Sequence, residues 1–347
     1  GIDPASPEFK NEDGSSRILR FWDQHNSSND FENYGYGRIF TNEDIDNGLL
    51  DDYRDTTYNG HGTAVASVAV GGGMIHDSIR GVAPESDIIV VGINDNVLDY
   101  TNRVPSMLQI VDAIHYIFTE GEKLGKPVVI NISLGGLEGS HDGQDLPTQL
   151  IESLLEQKVG RAIVVAAGNA GTVKHHIHFE LNNERKYSWF RPMVSNSSVC
   201  KRDSGMYMSF YMDSLDATNI DFRVALELIE PCCELYGDTG FKKIIEDNDN
   251  ISSEIVNLPN QQQAVIKTYV EKIGTTYGLF IEVSSNVEDY LCRVSFEGVG
   301  VVDGWSGALD ERSCNSMYVS TQYLIGNRDE IENFDNYVRP DKEQNIG

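Results

Sequence analysis

Between residues 17 and 167 unbroken apolar runs alternate with stretches of helical period, and this constrains the fold more than any other feature of the sequence. The runs are 17–23 (RILRFWD), 87–93 (DIIVVGI), 127–133 (PVVINIS) and 161–167 (RAIVVAA). A strand that is apolar at every position is covered on both faces, as in a parallel sheet wrapped by helices. The predicted helices are 61–70 (HGTAVASVAV), whose small residues suit an enclosed helix, 105–124 with a Met107, Ile110, Val111, Ile114 and Ile117 stripe, and 147–159 ending at Gly160. The expected class is therefore α/β, with a doubly wound, mostly parallel sheet. Sheets of this kind place their sites beyond the carboxyl ends of the strands. Asp23, Ser133 and Asn169 stand at or just past such ends.

The pattern changes after Gly171. From 173 to 335 there are short alternating runs separated by turn residues, among them 221–229, 264–270, 277–283 and 290–296. They predict an antiparallel β-sandwich inserted into the first domain. Residues 336–347 read as the start of a return to the core. The first ten, GIDPASPEFK, have no hydrophobic period and read like the translated linker of an expression vector, outside the fold. The part of the α/β core is then 11–172.

The formal charge of −27, from 54 acidic and 27 basic residues, opposes a nucleic acid or an anionic membrane by Coulomb repulsion. No run has the roughly 18 apolar residues of a membrane span. The five cysteines (Cys200, Cys232, Cys233, Cys292 and Cys314) have neither zinc spacing nor the look of a disulfide framework, and read as buried small hydrophobes. A cysteine-nucleophile hydrolase using His61 would need one of them in a strand-to-helix glycine turn, and none is there. His175, His176 and His178 could share a face, but no fourth ligand accompanies them, and the expectation is no metal. The acidic stretch Glu43 to Asp55 is a calcium candidate without the spacing of a defined loop. A solvated face is the preferred reading.

Four ordered strings carry the chemistry. Gly60-His61-Gly62-Thr63 with Val65-Ala66 puts an imidazole at a helix start, and Ala166-Ala167-Gly168-Asn169 puts a side-chain amide after a strand. Asn131-Ile132-Ser133-Leu134-Gly135 and Gly81-Val82-Ala83-Pro84 complete the set. Together they resemble the subtilase family of serine proteases, over about residues 11 to 172. The acid segment departs from the family's Asp-Ser/Thr-Gly, reading Trp22-Asp23-Gln24. With the large β-rich insertion, it is similar to clostridial and Bacteroides-type subtilases that carry a jelly-roll insert.

The resemblance implies that Asp23 orients His61, that His61 is the base, that Asn169 donates to the oxyanion, and that Ser133, Leu134 and Gly135 line an extended peptide. It also implies a protein or peptide substrate, no required cofactor, and a secreted or cell-envelope location. The family's nucleophile stands in Gly-Thr-Ser-x-Ala, a string that does not occur here. Gly304-Trp305-Ser306-Gly307-Ala308 is the nearest spelling, among turn residues. No nucleophile is therefore assigned, and the chain alone is expected to be inactive. A natural pseudoprotease or peptide-binding module that keeps the groove is the alternative. A core lacking its later strands leaves apolar surface open, so self-association or a complementing C-terminal segment is also expected.

Overall fold

The computed structural model describes residues 2–25, 34–50, 53, 60–76, 79–93, 105–135, 139–168, 176–192, 206–228, 235–245, 251–258, 262–284, 290–306 and 316–318. It divides into two compact units, Gly1–Ser133 with Pro147–Ala166, and Leu134–Leu146 with Ala167–Gly347. The boundary drawn at 172/173 thus differs from the observed division, in which Leu134–Leu146 belongs with the β-rich part.

In the first unit β1 (Ile18–Asp23) lies between β2 (Arg38–Thr41) and β3 (Ile88–Gly92), antiparallel to the former and parallel to the latter. Strand β2 was not anticipated from its short run of residues; it pairs Phe40 with Phe21 and Arg38 with Asp23. Thr41 caps the short α1 (Asn42–Asp46) through a reciprocal bond with Asp44. Next come α2 (His61–Val70), α3 (Pro105–Lys123), β4 (Val128–Ile132), α4 (Leu146–Glu156) and β5 (Arg161–Val165). β4 and β5 run parallel, Ile132 opposite Val165. Val111, Ile114 and Phe118 bury the inner face of α3, and Ile114 and Phe118 join Ile130 of β4 in one cluster.

Three expectations need correction. Helix α2 is not enclosed: none of its residues is buried and Val68 is 71% exposed. Among the described residues the β4–β5 pair is covered on one face only, with Val129 at 72% and Val165 at 65% exposure. Continuous apolarity marks a strand able to be covered twice, and here a single helix layer meets it. The opening residues are part of the fold: Phe9 is fully buried with Ile18, Phe21 and Phe40, and Glu8 accepts from the Gly73 and Ile75 amides at 2.7 and 2.9 Å.

The second unit is built of antiparallel strands: β6 (His176–Asn182), β7 (Lys186–Pro192), β8 (Met206–Asp213), β9 (Ile220–Leu228) after the one-turn α5 (Ser214–Ala217), β10 (Leu235–Asp238) and β11 (Lys242–Lys243). They continue with β12 (Ile251–Asn257), β13 (Gln263–Ile273), β14 (Thr276–Val283), β15 (Tyr290–Ser306) and β16 (Ser316–Tyr318). The spine is β15. Its first half pairs with β7 and β9, and its second half with β6 and β8. A strand this long changes partners only if its backbone can turn, and Gly298 and Gly300 stand at the change with φ of +127° and +142°. Phe179, Phe210 and Phe296, all fully buried, meet edge-on or tilted between the strands, with Phe179–Phe296 centroids 5.0 Å apart.

Candidate functional site

Asp23 is the last residue of β1, flanked by Gly92 of β3 and Arg38 of β2, and is 8% exposed. Its Oδ1 accepts from the His25 amide at 3.0 Å. The chain is bolted in place immediately after it. The Gln24 amide donates to the Gly92 carbonyl at 2.9 Å, and its Nε2 donates to the Gln109 carbonyl of α3 at 3.1 Å. Trp22, on the other side, is 1% exposed and packs on Tyr34, Tyr36 and Tyr116. Tyr36 donates to Asp112 at 2.9 Å, and burial, with that bond, pushes its phenol well above the usual range. Sequence reasoning missed this support, because Gln24 and Gln109 are 85 residues apart.

His61 opens α2 on an exposed face, directly after Gly60, whose φ of +89° is the left-handed turn into the helix. The helix start is tied down by the Asp3 amide, which donates to Thr63 Oγ1 at 2.9 Å. Ser133 follows β4 and its Oγ accepts from Asn131 Nδ2 at 3.0 Å. Because β4 and β5 are parallel, Ser133 and Ala166 leave the same end of that pair, with the Ala166 amide bonded to the Ile132 carbonyl. Asp23, His61 and Ser133 belong to the first unit, whereas Leu134 and Gly135 belong to the second. Asn169 and His175 lie outside the described residues. Ser306 is the last residue of β15, paired with Met208, and so stands in a ladder rather than at a helix head.

Among the described residues no group of three or more His, Cys, Asp or Glu is placed to hold a metal ion, and no helix is long and apolar enough to cross a membrane. Cys292 is fully buried and burial pushes its thiol up, the reverse of what a nucleophile needs. The other four cysteines lie outside the described residues.

The sequence model of the Subtilase family matches residues 1–198. The chain belongs to the subtilase family. Among curated relatives, the PII-type proteinase of Lacticaseibacillus paracasei is 28% identical to this subtilase over 182 residues, 50% of the chain and 9% of the relative. The PII-type proteinase of Lactococcus lactis subsp. cremoris is 27% identical over 184 residues, with the same shares. The chain thus spans less than a tenth of the length of these relatives. The solved structure of the Clostridium perfringens CspB protease superposes with a TM-score of 0.68 at 21% identity, over 92% of this subtilase and 63% of that chain. The shared fold therefore extends well into the β-rich unit.

Proposed function

We propose that this subtilase chain is the Asp-His part of a serine endopeptidase, completed by a serine in a Gly-Thr-Ser-x-Ala segment outside these 347 residues. The observation that carries the reading is the placement of two family motifs: a buried carboxylate closing β1 and an imidazole opening α2. In this reading His61 takes the proton of the serine hydroxyl as its oxygen attacks the peptide carbonyl carbon. Asp23 holds the imidazole in the required tautomer and offsets its charge. The Asn169 amide donates to the oxyanion, and His61 returns the proton to the leaving amine. Water then releases the acyl group by the same steps, with no cofactor. Ser133, Leu134 and Gly135 offer backbone groups to an extended peptide. We further place the β-rich part after Ala167 as an insertion in the α/β core.

The test is hydrolysis of an unfolded protein substrate by the 347 residues alone and by a chain extended to carry the serine segment. The short chain is expected to be inert and the extended one active. Changing His61 or the added serine to alanine should remove about six orders of magnitude from kcat, a loss established on subtilisin itself. Asn169→Ala should remove about two to three orders, a figure from the same enzyme. Hydrolysis by the short chain that a serine-directed inhibitor abolishes would refute the assignment. A parent sequence with no such serine would instead favour the peptide-binding module.

A further inference from the structure

The helix that presents His61 has little apolar purchase. No residue of α2 is buried, and its contact with the cluster of Phe9, Ile18 and Phe21 is made by Ala66 and Val70, both half-buried. Much of its hold is polar. The last four carbonyls of a helix have no partner within it and must find one elsewhere. In α2 the Ser67 carbonyl accepts from the Gly71 amide at 2.9 Å, Val68 from Val82 at 3.1 Å and Ala69 from Ala83 at 2.8 Å. The fourth is met by a side chain: Arg17 Nη1 donates to the Val70 carbonyl at 2.7 Å.

Arg17 is itself 9% exposed and stands directly before β1. Its Nη2 donates to the Ser86 carbonyl at 2.9 Å, just after the turn that supplies the Val82 and Ala83 amides, and its Nη1 also reaches the Glu8 carbonyl at 3.3 Å. Burial pushes the guanidinium below its ordinary value, against the pull of Asp87, yet so basic a group stays charged. Glu8, also buried, takes hold of the segment after the helix. Its two carboxylate oxygens accept from the Gly73 and Ile75 amides, and its carbonyl accepts from the Gly72 amide at 2.9 Å. Glycine at 71 leaves room for this approach, because a Cβ there would lie 3.0 Å from Glu8 Oε2 and 2.5 Å from the Ser67 carbonyl oxygen.

We propose that Arg17 and Glu8 are positioning residues for His61: they fix the far end of α2 to the chain that becomes β1, and so set the imidazole relative to the strand that ends in Asp23. The catalytic half of this inference rests on reading His61 as the base. Neither side chain touches a reacting atom. Without the Arg17 fork the Val70 and Ser86 carbonyls lose their donor, and without the Glu8 carboxylate two amides lose their acceptor. Water can replace these partners only if the end of the helix opens. Since a helix moves largely as a unit, a shift at Val70 carries His61 with it, and a misplacement of about 1 Å can lose about two orders of magnitude in rate. The residues read as binding the peptide, Ser133 to Gly135, lie on other elements, so the loss belongs in kcat rather than in KM.

Amide hydrogen exchange in the 347-residue chain and turnover in the chain extended with the serine segment test it together. In Arg17→Ala and in Glu8→Ala the amides of residues 64–70 are expected to exchange about tenfold faster, while those of α3 keep their protection. In the extended chain each variant should lower kcat by about tenfold to a hundredfold with KM within about twofold of the unaltered value. Arg17→Lys, which keeps the charge and one donor for Val70 but cannot span all three carbonyls, should recover part of the kcat. Unchanged exchange at 64–70 in both alanine variants, or equal loss of protection in α2 and α3, would overturn the proposal, as would an unchanged kcat or an effect on KM alone. If the alanine variants do not fold, Arg17→Lys and Glu8→Gln decide by the same readouts, full protection and full kcat in both being the overturning result. An unaltered extended chain that hydrolyses nothing overturns the peptidase reading, and exchange then decides the hold on α2. An active extended chain indifferent to Arg17 and Glu8 overturns this inference alone.

Discussion

Gly298→Ala should be among the most damaging single-methyl additions to the β-rich unit. A Cβ built at Gly298 would lie 1.8 Å from the Asn219 carbonyl oxygen and 3.2 Å from the Ile220 Cα, so it meets backbone rather than a movable side chain. Relief needs a displacement of roughly 1.5 Å toward ordinary contact distance. Asn219 cannot move freely, because its carbonyl accepts from the Val299 amide at 3.2 Å, while the Gly298 carbonyl accepts from Asn183 at 2.8 Å. The backbone at φ +127° costs an L-residue about 1–2 kcal/mol, and orphaning a buried hydrogen-bonding group adds about 1–3 kcal/mol. The total is about 2–5 kcal/mol. Gly240 is the control: its φ is +66°, yet no atom lies within 4 Å of its virtual Cβ. Gly240→Ala should therefore cost about 1 kcal/mol, the φ penalty less the gain from a stiffer unfolded chain. With a urea slope of about 2 kcal/mol/M, the unfolding midpoint read by far-ultraviolet circular dichroism should fall by about 1–2.5 M for Gly298→Ala and by about 0.5 M for Gly240→Ala. Equal shifts would refute the claim that the Gly298 backbone is pinned against Asn219.

Phe9→Ala should destabilise the first unit by about 3–5 kcal/mol, since the ring is fully buried; a loss under about 0.5 kcal/mol in urea unfolding would return the opening residues to the status of a tail. Glu227, 1% exposed, accepts from Arg293 at 2.9 Å and from Trp189 Nε1 at 2.8 Å, so Glu227→Ala should cost about 1–3 kcal/mol by orphaning the buried Trp189 Nε1 and leaving the partly exposed Arg293 guanidinium without its counter-charge. Burial pushes the Glu227 carboxyl up against the pull of Arg293 and Trp189. Its contribution to stability is therefore fully present below its unfolded value and falls as pH rises through the folded one. The difference in unfolding free energy between the unaltered chain and Glu227→Gln should shrink as pH rises from about 4.3, the ordinary glutamate value. A difference that grows over that range would reverse the assignment.

What the sequence made legible was local. The first strand ending at Asp23, the helix opening at His61 and the apolar runs of β4 and β5 each announce themselves within a few residues, through period, a glycine turn or a motif. The missing parts depend on partners far along the chain. Phe9 sits in no periodic stretch, and only the later arrival of Ile18, Phe21 and Phe40 makes it core. The shared face of His176 and His178 could be read from their spacing, whereas their common partner Asp303 is 125 residues beyond His178.

The run Phe296–Ser306 shows most clearly why the remainder was hidden. Its glycines and its Gly-Trp-Ser-Gly spelling suggested turns and a distant likeness to a nucleophile segment. In the fold it is the second half of a 17-residue strand. The same glycines that weaken strand propensity are required there, because a Cβ at Gly304 would lie 2.5 Å from Phe210 Cδ1, and Gly298 and Gly300 carry the change of partners. Propensity describes a residue alone, whereas a spine strand is chosen by the four strands that flank it. Ser306 is accordingly a ladder residue opposite Met208, and the chemistry that a strained turn would give a serine must be sought in a different segment.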